Sequence, residues 1–192
     1  AVKDFETILA MPETPVRARA LVQLGNAHVR LAEALNATGD TSGAAVEFEH
    51  ALDSYENPEA SGPGLDQNNH AAEGVYLDTL EDVADAQLAG AAKTPDNWTQ
   101  RRMLSKALGA LDQILARDPK RAVALKRDAE TRSLLVGNIT DAGRQKLEEG
   151  RKTMAAGKFK SAYVPMRDAN DLANEAMNIN PDDSRAKAFL AD

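Results

Sequence analysis

Three histidines, His28, His50 and His70, are the residues best suited to metal or acid–base chemistry in this sequence. Glu47 and His50 have the Glu-x-x-His spacing, which places two metal ligands on one face of a helix. A two-metal helical bundle needs a second copy of this motif and further carboxylates, and the sequence holds one copy. A surface histidine beside acidic residues is therefore the favoured interpretation. The sequence predicts no metal and no cofactor.

Other patterns give equally little support for catalysis. Asp66, Asn68 and His70 resemble the start of a calcium loop, but the central glycine and the final glutamate of such a loop are missing. The stretch 62–64, Gly-Pro-Gly, is not followed by the Lys-Ser/Thr pair of a phosphate-binding loop. The chain has no cysteine, and its serines have no histidine at a recognisable spacing. We therefore expect no catalytic residues and do not expect an enzyme.

Charge is distributed unevenly along the 192 residues, although the net charge is only -7. Residues 1–100 contain 5 Lys and Arg against 17 Asp and Glu, whereas residues 101–160 contain 15 against 7. Ordinary solvated helix faces explain such a distribution. The alternative is that an acidic end and a basic middle steer a protein partner, or a second copy of the chain.

Nucleic-acid binding would require a basic face with aromatic residues or a reading helix. The candidate basic patch lies in 117–132 and comprises Arg117, Lys120, Arg121, Lys126, Arg127 and Arg132. Acidic residues are interleaved with this patch, it contains no aromatic residue, and the sequence pI is about 5.1. No nucleic-acid partner is expected. No apolar run reaches the ~20 residues of a membrane helix, so no membrane insertion is expected either.

Residue pairs typical of helix starts recur along the chain and predict an all-α protein. An Asn, Asp or Thr precedes a proline at Thr14-Pro15, Asn57-Pro58, Thr94-Pro95, Asp118-Pro119 and Asn180-Pro181, a pairing typical of helix starts. Apolar residues recur at helical spacing between these marks. Helices are predicted near 2–11, 15–37, 41–56, 66–92, 96–117, 120–136, 140–156, 158–179 and 182–191. The stretch 56–69 is the one clear loop, and Pro165 predicts a kink in the helix that contains it.

Three of these prolines recur at a nearly constant interval in the sequence. Pro58 and Pro119 are 61 residues apart, and Pro119 and Pro181 are 62 apart. A pair of helices of about 20 residues with their turns would fill this interval. The sequence therefore predicts one domain, 1–192, made of three long helical hairpins near 13–58, 59–119 and 120–181, with a C-terminal capping helix at 182–192.

Small and bulky residues within the hairpins resemble the tetratricopeptide repeat (TPR) family. The third hairpin carries the pattern in Gly150, Gly157, Phe159, Ala162, Met166 and Ala169. The first carries it in Leu21, Leu24, Gly25, Gly39, Ala44, Phe48 and Ala51. In the second it is limited to Ala107, Leu111, Ile114 and Pro119. Family repeats have about 34 residues, so these helices are atypically long. The resemblance implies a right-handed stack of helical hairpins, a TPR-like α-solenoid, in which a bulky residue fills the gap between paired helices.

The resemblance also implies a binding site on the concave face. The Leu24-Gly25-Asn26 stretch is similar to a family variant in which the asparagine bonds the main chain of a bound peptide. The lysine which that variant has four residues before the asparagine is replaced here by Val22. By the same carry-over, the groove residues are Arg19, Asn26, Arg30, Arg144 and Arg151.

Three functions follow from these patterns. The first is a non-catalytic scaffold that binds a peptide or partner helix in its groove. The second is a self-assembling structural module in which the acidic first half docks on the basic middle of another copy, giving a homo-oligomer. The third is a regulatory or ligand-sensing helical domain of a larger protein. We expect a soluble protein, and the sequence leaves the cytoplasm and the cell envelope open as its location.

Overall fold

A computed structural model describes Thr7, Ala10 and residues 15–62 and 64–191. These ranges contain no strand, and the prediction of an all-α protein is confirmed. The helices in them are α1 (Pro15–Ala37), α2 (Thr41–Glu56), α3 (Leu65–Lys93), α4 (Asn97–Arg117), α5 (Ala122–Ala155), α6 (Phe159–Ile179) and α7 (Ser184–Ala191). The helix predicted near 2–11 falls almost entirely outside the described residues. None of the described helices combines the length and the hydrophobicity needed to span a bilayer.

Three of the Asx-Pro pairs form the same turn. In each, the side-chain oxygen of the Asx residue accepts a hydrogen bond from the backbone N–H two residues later: Asn57 from Glu59 at 2.9 Å, Asp118 from Lys120 at 3.2 Å and Asn180 from Asp182 at 3.2 Å. This is the Asx turn, which competes with helix formation. The prolines therefore lie in turns, and the next helices begin later, at Leu65, Ala122 and Ser184. Only at Pro15 does a helix begin on the proline itself.

The predicted break between 136 and 140 is wrong, because α5 is a single helix of 34 residues. Gly137, Asn138 and Thr140 are poor helix formers, but two of their side-chain donors form hydrogen bonds within the fold. The Asn138 amide donates to the Gln100 side chain on α4 at 2.8 Å, and the Thr140 hydroxyl donates to the Gly137 carbonyl at 2.9 Å. Packing against α4 therefore outweighs local propensity.

Two turns between paired helices share one geometry. Gly39 and Gly157 have φ of 84° and 72°, the left-handed region that favours glycine. In both turns the residue after the glycine donates a backbone hydrogen bond to the carbonyl five residues earlier. Asp40 N–H donates to the Leu35 carbonyl at 3.0 Å, and Lys158 N–H donates to the Thr153 carbonyl at 3.1 Å. This is the Schellman pattern, which ends a helix and reverses the chain. The chain thus folds back sharply between α1 and α2 and between α5 and α6.

The structure divides into two compact units, 1–83 and 84–192, and the division falls within α3. In the first unit α1 packs along α2. Their shared core includes Leu21, Leu24, Ala44, Phe48, Ala51 and Leu52, all buried. The end of α1 is tied to α3 by a hydrogen bond of 3.1 Å from the Asn36 amide to the Thr79 hydroxyl, and Thr79 is buried.

In the second unit α5 contacts α4, α6 and α7. One core cluster joins four helices and the end of α3; it comprises Ala91, Leu104, Leu108, Leu135, Val136, Ile139, Ala176 and Ala186. Further along α5, Gly143 faces the Phe189 ring of α7, and Gly150 faces the Met166 side chain of α6. Both glycines allow a close approach because a Cβ atom would overlap these side chains. The stacking of hairpins into one right-handed solenoid domain stays a prediction.

Pro165 lies inside α6, and the helix continues through it to Ile179. Its ring is buried, together with Ala162, Ala169, Ala173 and Ala176. Burial of the pyrrolidine ring offsets part of the lost backbone hydrogen bond. The expected kink stays a prediction.

Asp183 fixes the start of α7 and supports an experimental test of acid stability. Its carboxylate accepts hydrogen bonds from the Arg185 backbone N–H at 2.8 Å and from the Arg185 guanidinium at 2.7 Å. The hydrogen bond from the Arg185 side chain is the largest cause that lowers the pKa of Asp183 to about 2, and the bond from the Arg185 backbone N–H lowers it further. A lowered carboxyl pKa stabilises the fold above the unfolded-state value, ~3.9, and that stability is lost as the pH falls towards 2.

We expect Asp183→Asn to lower the free energy of unfolding at pH 7 by about 1–2 kcal/mol, because the amide can still cap the helix but no longer pairs with the half-exposed guanidinium. Near pH 2 the variant and the wild type should be equally stable. Chemical denaturation at pH 7, 4 and 2 measures this. Asp182→Asn is the control, since Asp182 is highly exposed and its ion pair in the described part of the chain is with the exposed Lys187, at 3.2 Å. An equal loss for both variants at pH 7 would contradict the prediction.

Candidate partner-binding surfaces

Three of the predicted groove residues lie on one face of α1. Arg19, Asn26 and Arg30 are seven and four residues apart, which is a helical repeat. Arg19 and Arg30 are exposed, whereas Asn26 is half-buried. The Asn26 side-chain oxygen accepts a hydrogen bond of 2.6 Å from the Tyr55 hydroxyl on α2. Its carbonyl group is therefore committed to holding the two helices together.

The Leu24-Gly25-Asn26 stretch has a structural role in this hairpin. Leu24 is buried in the α1–α2 core, and Gly25 lies against the Tyr55 ring, which a Cβ atom at that position would overlap. Tyr55 is itself buried, and this burial raises the pKa of its hydroxyl. All three residues thus serve the packing of α2 on α1. The predicted contact of Asn26 with a bound peptide stays a prediction.

The other two predicted groove residues, Arg144 and Arg151, lie on α5 in the second unit. Both are exposed, and their spacing of seven residues places them on one side of the helix. Leu147 lies between them and lines a shallow cleft of about 200 Å³. The other lining residues come from α6 and α7: Met166, Ala169, Asn170, Ala173, Phe189 and Leu190. The cleft is mostly apolar, with arginines beside it.

A second surface in the same unit combines exposed aromatic and basic side chains. It is formed by Lys158, Phe159, Lys160, Tyr163 and Val164, and we call it the aromatic–basic surface. Phe159 is 71% exposed and Tyr163 66% exposed, and they are one helical turn apart at the start of α6. Lys158, Lys160 and Val164 are exposed as well. The helix packs through its other face, by way of Ala162 and Pro165.

The bulky residue in the gap between the paired helices occupies the same place in both hairpins. Phe48 and Met166 each lie nine residues after the glycine with positive φ; Phe48 has no exposed surface, and Met166 lies against Gly150. Phe159 lies only two residues after Gly157 and is outside this gap, since it is 71% exposed. Phe159 is the first residue of α6, and its side chain lies on the exposed side of the helix. The repeat pattern alone does not predict this exposure.

Two arginines of the basic patch in 117–132 form ion pairs within the second unit. Arg127 bonds Asp85 at 2.6 Å, and Arg132 bonds both Asp112 at 2.7 Å and Asp128 at 2.9 Å. Asp128 and Asp112 together raise the pKa of Arg132, the hydrogen bond to Asp128 being the larger cause. These arginines join α5 to α3 and α4. The expectation of no nucleic-acid partner stays a prediction.

Comparison with protein-family models, curated proteins and solved structures finds no match to this chain.

Proposed function

We propose that the protein is a non-catalytic, TPR-like scaffold that binds a protein partner through the aromatic–basic surface. The observation that carries this proposal is the exposure of Phe159 and Tyr163 side by side, with Lys158 and Lys160 next to them. Aromatic side chains are enriched in protein interfaces, and contiguous exposed apolar groups on a small domain usually mark a binding site. Single exposed valines or leucines elsewhere on the chain need no such explanation.

The shared geometry of the two hairpins supports the TPR-like part of the proposal. Counted from the left-handed glycine, a buried alanine follows after five residues in both hairpins, at Ala44 and Ala162. A second buried alanine follows after twelve, at Ala51 and Ala169. Equal turns followed by equal burial are what a repeated structural unit requires.

The chemistry of the surface defines the partner. Two aromatic rings and Val164 offer apolar area, and two lysines offer positive charge. The complementary ligand is a peptide segment in which apolar side chains alternate with Asp or Glu. Residues 101–160 carry 15 basic against 7 acidic residues, which favours approach of such an acidic segment.

Selection from a library of random peptides displayed on phage tests this proposal. Peptides selected on the wild type should be rich in Asp, Glu and apolar residues. Their affinity for the Phe159→Ser, Tyr163→Ser double variant should be at least about 30-fold lower, because two central aromatic residues of an interface typically contribute 2 kcal/mol or more.

The matched control is Val123→Ser, Leu125→Ser. Both residues are about half exposed at the start of α5, outside the aromatic–basic surface. This variant should bind the selected peptides as the wild type does. Peptides that bind wild type and Phe159→Ser, Tyr163→Ser equally well would refute the proposed surface.

Self-assembly is the second candidate, and the charge asymmetry favours it. Residues 1–100, with 17 acidic and 5 basic residues, offer the acidic chemistry that the aromatic–basic surface requires. Light scattering over a range of protein concentrations, at low and high salt, distinguishes the two functions. If the partner is a second copy, the mass of the wild type should rise with protein concentration and fall with salt. The Phe159→Ser, Tyr163→Ser variant should then stay monomeric under the same conditions.

A further inference from the structure

His28 and His50, which are 22 residues apart in sequence, meet at Glu47 between α1 and α2. His28 Nδ1 lies 2.6 Å from a carboxylate oxygen of Glu47, and His50 Nδ1 lies 3.9 Å from the same oxygen. The two imidazole rings are edge to face, with centroids 5.2 Å apart. One potential ligand atom from each of the three residues falls within 4.8 Å of the others. The group is therefore compact before any ion is considered.

The burial of the group is graded. His28 is nearly covered, Glu47 is mostly covered, and His50 is about half exposed. The two inner residues are held by helix packing, since α1 and α2 share a buried core beside them. The outer residue leaves one side of the group open to solvent. A small ion could enter from this side without disturbing the core.

The donor set matches a particular class of metal. Two imidazoles and one carboxylate bind Zn²⁺ at about 2.0–2.2 Å in sites with three protein ligands and one open position. Donor atoms around a tetrahedral ion are then about 3.3 Å apart, and the separations of 2.6 and 3.9 Å lie on either side of this value. Mg²⁺ and Ca²⁺ prefer oxygen ligands, whereas imidazole favours first-row transition metals.

We propose that His28, Glu47 and His50 form a binding site for one divalent transition-metal ion, with Zn²⁺ as the ion of choice and water at the open position. The ion joins α1 to α2. It binds Nδ1 of His28 in place of the hydrogen bond to Glu47, and the neutral imidazole then carries its proton on Nε2. Residues 1–100 carry 17 acidic and 5 basic residues, and this excess of negative charge favours the approach of a cation. The site is independent of the aromatic–basic surface.

Calorimetric titration with ZnCl₂ tests the site, using the full chain without a histidine tag after dialysis against a chelator. The wild type should bind one ion per chain. His50→Gln and Glu47→Gln should each weaken binding by more than about 100-fold. Loss of a ligand should exceed the 10–100-fold effect of losing a side chain that only hydrogen-bonds to a ligand. His50 is half exposed and Gln is close to Glu in shape, so both variants should keep the fold; circular dichroism checks this.

His70 provides the matched control, since it is exposed on α3 and is the only other histidine in the chain. His70→Gln should bind Zn²⁺ as tightly as the wild type. Nitrogen NMR of the three imidazoles adds a direct readout: Zn²⁺ should shift the resonances of His28 and His50 and leave that of His70 unchanged. Absence of one-to-one binding by the wild type, or undiminished binding by His50→Gln or Glu47→Gln, would overturn the proposal.

Discussion

Phe48→Ala is expected to destabilise the α1–α2 hairpin by about 3–5 kcal/mol, the usual cost of removing a fully buried aromatic side chain. Phe48 has no exposed surface and is surrounded by the buried residues Ala44, Ala51 and Leu52 of its own helix and by α1. Truncation to alanine removes the transfer free energy of the ring and leaves a cavity that rigid neighbouring helices cannot fill. Native-state hydrogen exchange of the α1 and α2 amides measures the local free energy of opening directly.

Phe159→Ala is the matched comparison, since it makes the same change at the other aromatic residue of the repeat pattern. With 71% of its surface exposed, Phe159 contributes little to the core, and its truncation should change the free energy of unfolding by less than about 0.5 kcal/mol. A loss at Phe159 that equals the loss at Phe48 would show that Phe159 is buried in solution. It would thereby remove the basis of the aromatic–basic surface.

Gly25→Ala is expected to destabilise the same hairpin by about 1–2 kcal/mol. Alanine is favoured over glycine in a helix by about 1 kcal/mol, but an added methyl group at Gly25 overlaps the Tyr55 ring. The ring cannot rotate away freely, because it is buried and its hydroxyl is bonded to Asn26 at 2.6 Å. Overpacking of this kind costs about 1–3 kcal/mol or more. The same hydrogen-exchange measurement applies.

Gly74→Ala provides the control with the opposite sign. Gly74 lies in the interior of α3 and is exposed. Apart from its chain neighbours and the backbone of its own helix, no heavy atom of the described residues lies within 4 Å of the position that a Cβ would occupy. Its replacement should raise the free energy of unfolding by about 0.5–1 kcal/mol through helix propensity alone. If Gly25→Ala stabilised the hairpin as Gly74→Ala does, the close contact with Tyr55 would not exist in solution.

Much of the fold could be predicted from local signals. The glycine at 39 and the apolar spacing in 15–37 and 41–56 give helices whose bounds match the structure, because a left-handed turn and a helical period are properties of short stretches. The continuity of α5 could not be predicted in this way. The residues from Gly137 to Thr140 favour a break in the helix. The hydrogen bond that offsets this preference is donated by the Asn138 amide to the side chain of Gln100, 38 residues earlier.

The candidate sites, too, depend on contacts between helices that the spacing of residues in sequence does not predict. Glu47 and His50 were recognisable as a pair because they share one helix, but His28 joins them only through the register of α1 on α2. A partner supplied by another helix leaves no mark in the spacing of residues. Likewise, the sequence predicts Asn26 as a polar residue of the groove. It does not predict the hydrogen bond from Tyr55, because that bond depends on how a residue 29 positions later packs. Exposure of Phe159 depends on where α6 begins.

The continuity of α5 has a mechanical consequence. A helix of 34 residues is about 50 Å long. It carries the Asn138 contact with α4 near its middle, and the turn at Gly157 lies just beyond its C-terminal end. A joint at Gly137 would absorb displacements of the turn, whereas an unbroken helix transmits them as a stiff lever. A displacement of this turn is therefore transmitted along α5 to the Asn138–Gln100 contact.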